Sequence, residues 1–418
     1  MNEYIIGIDI GSSKVCAAVG KFDKYNKLQI IGITSVKCTG IKKSVVVDID
    51  DTAKAINECI VQLERMVDIE IKDVYISLPG EISELIWNKG VIAISSEDRE
   101  IKKNDVDRVL QAAKLISVPS DKEIIGVVPQ QYIVDGYENI KEPIGMSGLR
   151  LEVEAQVIVA KSTIINNLFK SVNRAEVRIK GIVLQPLAIS KIVLDREEVE
   201  MGTVLVDVGA QNTEMSVFKS ENLCGTDMIS LGGNNISNDI SLCLKIPYSE
   251  AEKIKTKYAN IVKTNEDYNE KIKVNSAYDS VIEIDYNVLN QIIEARVEEI
   301  LYFVKQNLIK NNYYDEISEI VIVGGGISFI KGIEEFAREI LGKSVRIGSP
   351  HYTGANSPLY ATCVGIVEDV ANSYKHLQSP NTNEHVNDKV NNKVEYDEEN
   401  NDGFFNKMRE FFTDFFYK

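Results

Sequence analysis

A chain of 418 residues is too long for one small core and predicts two lobes or several subdomains. Its 44% hydrophobic and 26% charged residues are ordinary for a globular protein. A net charge of −16 excludes nucleic acid as the main partner, because that partner requires a basic footprint.

The first residues, MNEYIIGIDI, carry an acidic residue and no basic stretch, which does not fit a signal peptide. No apolar run approaches the roughly 18 residues needed to span a bilayer. The six cysteines show no CxxC spacing, and runs such as KVCAAV, LCLKI and ATCVG predict reduced core residues of a cytoplasmic protein. Only three histidines occur, and His376 and His385 lie in or beside a polar C-terminal stretch. With His351 alone in the body, a histidine-rich metal site is excluded and a Ser-His-Asp triad would rest on one residue.

In chain order, residues 4–11 read as an Ile-rich strand ending in Asp9-Ile10-Gly11, and 12–19 as the returning strand. Residues 50–68 place Ala53, Ile56, Ile60, Leu63 and Val67 at helical spacing, with Asp50 and Asp51 expected to cap the start. Residues 72–78 form a strand broken at Pro79-Gly80, followed by a mixed segment of about eighty residues. Helical periodicity returns at 162–174, then the strand GIVL, the helical QPLAISKIVL, and a strand after Gly202.

That last strand repeats the N-terminal pattern. Setting IIGIDIGSSKVCAAV over TVLVDVGAQNTEMSV at an offset of 198 places Asp9 on Asp207 and Gly11 on Gly209. Each copy delivers a carboxylate to a strand end, follows it with a glycine, and turns back. Two such hairpins facing across a cleft can hold nucleotide phosphates on their turn amides and a hydrated Mg²⁺ between their carboxylates. Lys14 adds a positive charge to one of them. The bland alternative is two unrelated Asp-x-Gly hairpins, and their matched placement in two halves of one chain speaks against it.

A third element is IVIVGGGISFIKGIEEFARE, a buried strand, the glycines 324–326 and a helix. A dinucleotide fingerprint fits poorly, since Phe329 stands where its last glycine belongs. As the third wall of a two-lobed cleft, Gly324, Gly325 and Gly326 can lie along an adenosine with no side chain in the way.

These three segments resemble the actin-like ATPase superfamily, an α/β class with a two-lobed, duplicated ribonuclease-H-like fold. SVVVDIDDTAKAI, VVPQQYIVDGYENIKEPIGMSGLRLEVEAQVIVA, VLQPLAISKIVL, SEAEKIKTKYA, IIEARVEEI and YATCVGIVED narrow the resemblance to the bacterial cell-division family FtsA. It runs from Tyr4 to about Asp369 and returns at the tail. It implies ATP and Mg as ligands, with Asp9, Gly11, Ser12, Ser13 and Lys14 in the first phosphate loop and Asp207 and Gly209 in the second. Gly232 and Gly233 would border the cleft, or make an ordinary turn. Glu252 and Lys255 would reach ribose and adenine, or form a solvated helix face. Gln185 would orient the attacking water, or make a buried hydrogen bond. One departure stands out: relatives read D-x-G-G-G-T-T-D at the second loop where this chain reads DVGAQNTE. Ala210 and Gln211 stiffen that turn and Glu214 replaces an Asp, so hydrolysis is expected to be slow or absent.

The resemblance also implies an organisation. Residues 1–80 and 161–201 would form the first lobe, with an inserted strand–helix–strand subdomain at 81–160 serving filament contacts and recruitment of later division proteins. Residues 202–229 and 318–370 would form the second-lobe core and its return, with an outer subdomain at 230–317. That outer subdomain would receive the C-terminal peptide of FtsZ, the tubulin-like ring protein. Arg296 is a candidate contact for its acidic residues; the alternative is an exposed arginine paired with Glu299 one turn on. A sugar kinase, a pilus-assembly adaptor and a chaperone share the fold and remain rivals on the cleft alone.

Residues 371–402 are polar and read as a disordered tether with a reach of roughly 30 Å. The ending GFFNKMREFFTDFFYK holds six of the twelve phenylalanines. Built as a helix, 403–418 gathers Phe404, Phe405, Met408, Phe411, Phe412, Phe415 and Phe416 in an arc of about 140°. Lys407, Arg409 and Lys418 flank that arc. Such a helix lies in a membrane interface, which predicts a peripheral protein on the cytoplasmic face of the membrane, placed by the resemblance at the division site. The alternative is a terminal helix packed on the body.

Overall fold

The computed structural model describes residues 4–262, 271–275 and 281–377. β1 (Tyr4–Ile10) buries Ile5, Ile6, Ile8 and Ile10, so both its faces need cover, which only a central strand receives. It pairs antiparallel with β2 (Lys14–Phe22), and β2 pairs with β3 (Leu28–Lys37). A short hairpin of β4 (Ile41–Lys42) and β5 (Val45–Val46) leads to α1 (Ile49–Val67), which packs Ile56, Cys59, Ile60 and Leu63 against that sheet. Asp48 is the residue that caps α1, its carboxylate accepting the Asp51 N–H at 3.0 Å. Asp50 and Asp51, expected as caps, stand in the first turn, where their charge still favours the helix dipole. β6 (Asp73–Leu78) then runs parallel to β1.

Next comes a subdomain of β7 (Ser83–Ala93), α2 (Lys103–Ala113), β8 (Lys122–Val134), β9 (Tyr137–Ile140) and β10 (Arg150–Lys161). The expected strand–helix–strand is its first half. β10 then inserts between β7 and β8, giving the sheet order β7-β10-β8-β9. Val106, Val109 and Leu110 of α2 pack with Leu151, Val153 and Val157 in a separate core. The chain returns through α3 (Ser162–Arg174), β11 (Arg178–Leu184) and α4 (Gln185–Val193), with Pro186 in the first turn of α4, where no amide is needed. The first sheet closes as β11-β6-β1-β2-β3.

After α5 (Arg196–Met201) the plan repeats. β12 (Thr203–Val208), β13 (Thr213–Lys219) and β14 (Asn222–Ile229) form an antiparallel run. Then follow α6 (Gly233–Leu244), α7 (Tyr248–Tyr258), a ribbon of β15 (Lys271–Asn275) and β16 (Val281–Asp285), and α8 (Tyr286–Lys310). β17 (Glu319–Val323) lies parallel to β12, and α9 (Ile333–Leu341) and β18 (Ser344–Ile347) follow. The second sheet is β14-β13-β12-β17-β18, the same connection pattern as the first. α10 (Ala361–Leu377) then crosses back, and Val364 and Val367 join the core of β1 and β2. The tail helix expected at 403–418, with its seven apolar residues, lies outside the described residues. Cys16, Cys38, Cys59 and Cys363 are buried free thiols as expected, but Cys243 of LCLKI is exposed, because that stretch ends α6 on its outer face.

Candidate functional site

The two hairpins meet across a cleft. Gly11 N–H donates to Lys14 O at 3.0 Å, and Gly209 N–H donates to Asn212 O at 2.9 Å, so the sequence repeat is a repeat of turn geometry. Asp9 pairs with Cys16 and Asp207 with Glu214, putting both carboxylates at the open ends of central strands. The cleft wall includes Asp9, Gly11, Ser12, Ser13, Lys14, Gln185, Asp207, Gly209, Gly233, Glu252, Lys255, Gly324, Gly325 and Gly326. Gly232 stands just behind it, opening α6 against the Gly209 and Ala210 carbonyls.

The third segment approaches too closely for side chains. Gly324 has φ +83°, and a Cβ there would lie 2.2 Å from Asp207 Oδ1; one on Gly326 would lie 2.7 Å from Val208 O. The glycines thus clear one wall while Gly326 N–H donates to Val208 O at 2.8 Å.

Each carboxylate is held in place. Asp9 Oδ1 accepts from Ser77 Oγ at 2.9 Å, and burial, opposed by that bond, pushes its carboxyl up to about 6. Gln185 Nε2 donates to Asp207 Oδ2 at 2.8 Å, and burial raises Asp207 as well. Asp207 raises Asp9, while Lys14 lowers both. Buried carboxylates that repel one another are where a divalent cation restores ionisation. Among the described residues no group of three His, Cys, Asp or Glu is arranged to hold a metal. Two carboxylates therefore suit a cation that keeps most of its waters, as Mg²⁺ does.

On the far side, Lys255 is buried, pairs with Glu252 Oε2 at 2.8 Å and donates to Gly233 O at 3.0 Å. Burial lowers its pKa against the pull of Glu252. This pair is built into the cleft wall, and Glu252 also accepts from Ser237.

Sequence reasoning passed over Glu81 and Asn212. Asn212 Nδ2 donates to Glu81 Oε1 at 2.9 Å and Oε2 at 3.1 Å, joining the two lobes. Burial, opposed by Asn212 and reinforced by Asp207, pushes Glu81 up to about 7. Glu214, noted only as a substitution, is buried with Oε1 lacking a hydrogen-bond partner, and burial with Glu81 and Asp207 raises it well above the usual carboxylate range. The break at Pro79-Gly80 marked the place, but pairing across the cleft leaves no local signal.

Arg296 lies apart, on α8 beside a groove that includes Val288, Ile292 and Cys243. Its Nε and Nη2 donate to Asp239 Oδ2 and Oδ1 at 2.6 and 3.1 Å, and it also pairs with Glu299. No helix of the described residues is long and apolar enough to cross a membrane.

A duplicated sheet with two Asp-bearing hairpins around one cleft defines an actin-like protein. Solved structures of the same fold include the PilM–PilN type IV pilus biogenesis complex, with TM-score 0.60 and 13% identity over 87% of this chain and 97% of that one. MreB5 of Spiroplasma citri bound to ADP aligns with TM-score 0.55 and 13% identity over 90% and 98%. The family model for cell division protein FtsA matches residues 204–365, and that for the SHS2 domain inserted in FtsA matches 80–159. FtsA of Bacillus subtilis (strain 168) is 37% identical over 88% of this chain and 83% of its own, and FtsA of Borreliella burgdorferi is 33% identical over 90% and 91%. The chain belongs to the FtsA family of cell division proteins.

Proposed function

We propose that this protein is an ATP-binding, membrane-tethered adaptor that anchors FtsZ filaments to the cytoplasmic membrane and recruits later division proteins. The observation that carries the nucleotide reading is the pair of matched turns, Gly11 to Lys14 and Gly209 to Asn212, facing each other under the cleared wall of Gly324 and Gly326. Structures of MreB5 with ADP and with AMPPNP support it on grounds of fold. The turn amides and Lys14 would hold the phosphates, and Asp9 and Asp207 would hold hydrated Mg²⁺, which supplies charge neutralisation. Gln185 is committed to Asp207 through its amide nitrogen, leaving its oxygen to orient a water. Glu252 and Lys255 would face the ribose and adenine.

The tail would provide the tether. Seven apolar side chains gaining roughly 1 kcal/mol each by partial burial amount to about 7 kcal/mol before the helix is folded. One copy then binds reversibly, and self-association into filaments strengthens the hold by avidity. A pilus-assembly adaptor would share the fold, but 37% identity to a cell division protein against 13% to the PilM complex favours FtsZ as partner.

The test is reconstitution of the full chain with liposomes, FtsZ and Mg-ATP. Wild type should sediment with liposomes and carry FtsZ with it. Phe411→Asp with Phe415→Asp should abolish both, because an unpaired carboxylate cannot be buried in the apolar arc, while ATP binding persists. Liposome binding by the double variant would return the tail to a helix packed on protein.

A further inference from the structure

Two consecutive side chains of the second turn reach across to the first lobe. Gln211 Oε1 accepts the Lys43 N–H at 2.9 Å, and Asn212 Nδ2 donates to both oxygens of Glu81. The two anchors lie far apart in sequence, in the β4–β5 hairpin and directly after β6. Lys43 and Ser44 form the tip of that hairpin with φ of 45° and 59°, a paired left-handed turn that turns the Lys43 amide outward. Ser44 itself lines the cleft, so the tip stands over the same space as the two Asp carboxylates.

The turn carrying Gln211 and Asn212 has little freedom of its own. Gly209 N–H closes it on Asn212 O, and its carbonyls accept from α6: Gly233 N–H to Gly209 O at 2.9 Å and Asn234 N–H to Ala210 O at 2.7 Å. It moves with the second lobe. Separating the lobes must therefore break the Gln211 and Asn212 bonds, since the turn cannot stretch to keep them.

We propose that Gln211 and Asn212 are positioning residues that staple the cleft shut and set the rate at which a bound Mg-nucleoside di- or triphosphate is released. This rests on the reading of the cleft as a nucleotide site. The two staples differ in strength. Lys43 to Gln211 is an exposed, neutral bond. Asn212 to Glu81 is part-buried, two-pronged and made to a carboxyl, and Asn212 Oδ1 is itself buried without a hydrogen-bond partner. The second staple should dominate, because it makes two contacts in an enclosed site where water competes less for them.

The experiment is release of a fluorescent ATP analogue from the full chain, chased with excess ATP in stopped flow. Asn212→Ala should release about tenfold faster than wild type, and Gln211→Ala about threefold faster. Gln211→Met keeps the length of the side chain but lacks the acceptor oxygen and should release as fast as Gln211→Ala, which a merely steric role for Gln211 does not predict. Glu81→Ala removes the acceptor from the opposite lobe and should match Asn212→Ala. Combining those two should add nothing, the mark of a shared contact. Full additivity, or release at the wild-type rate in Gln211→Ala/Asn212→Ala, overturns the proposal while leaving the nucleotide reading intact. Absence of binding by the wild type overturns both.

Discussion

The first and second turns share a backbone and differ in what they place on it. In both, a strand-end Asp is followed by a glycine whose N–H closes the turn three residues on, at 3.0 and 2.9 Å. The first turn carries Ser12, Ser13 and Lys14, which are small hydroxyls and a cation, and its Asp is held by Ser77. The second carries Ala210, Gln211 and Asn212, its Asp is held by Gln185, and Glu214 sits buried beneath. Duplication thus preserves what the backbone does, while each copy's side chains are free to specialise. The first turn brings positive charge to a ligand. The second brings lobe-to-lobe contact and a buried carboxyl whose protonated form burial favours.

The largest effect expected from this division is loss of ATP binding when either turn loses its charged member. Lys14→Ala removes the cation and Asp207→Ala the carboxylate, and each should weaken Mg-ATP by about a hundredfold or more in calorimetry. Retained affinity in both would dissolve the comparison, since neither turn would then be a phosphate loop. Turnover is the next measure. With Ala210 and Gln211 stiffening the second turn, steady-state hydrolysis should stay below roughly one per minute, against an ordinary enzyme scale of roughly 1–1000 per second; brisk phosphate release would contradict this.

A smaller effect separates the turns by pH. Burial raises Glu81 to about 7, so its protonated form is favoured in the fold. The stability it contributes is present below the usual glutamate range and is lost as pH rises through about 7. Glu81→Gln mimics the protonated carboxyl, so its melting temperature should fall less than that of the wild type between about pH 5.5 and about pH 8. Equal slopes would show that Glu81 does not carry this pH dependence. The smallest effect lies outside both turns. Arg296→Glu should weaken FtsZ-peptide binding by about tenfold with ATP affinity unchanged. Asp239→Ala, which frees the guanidinium from its two-pronged partner, should tighten that binding; no change in either variant would remove Arg296 from the peptide site.

Much of the architecture was legible because it is periodic or repeated. The Ile-rich run of β1, the α1 stripe of Ile56, Ile60 and Leu63, and the repeat at an offset of 198 are local patterns, and local patterns survive in one dimension. The expected caps of α1, Asp50 and Asp51, lie two and three residues past the true one because three acidic residues, Asp48, Asp50 and Asp51, all suit a helix start; backbone geometry selects the one with extended φ and ψ. Sequence alone determined that two carboxylates end two matched strands, because strand, turn and glycine lie within one short stretch. Only the tertiary structure decided that Glu81 meets Asn212, that Lys43 meets Gln211, and that β10 enters the middle of its sheet. Those pairings join residues 131 and 168 positions apart in the first two cases. They depend on how the lobes and strands stack, which no local preference encodes.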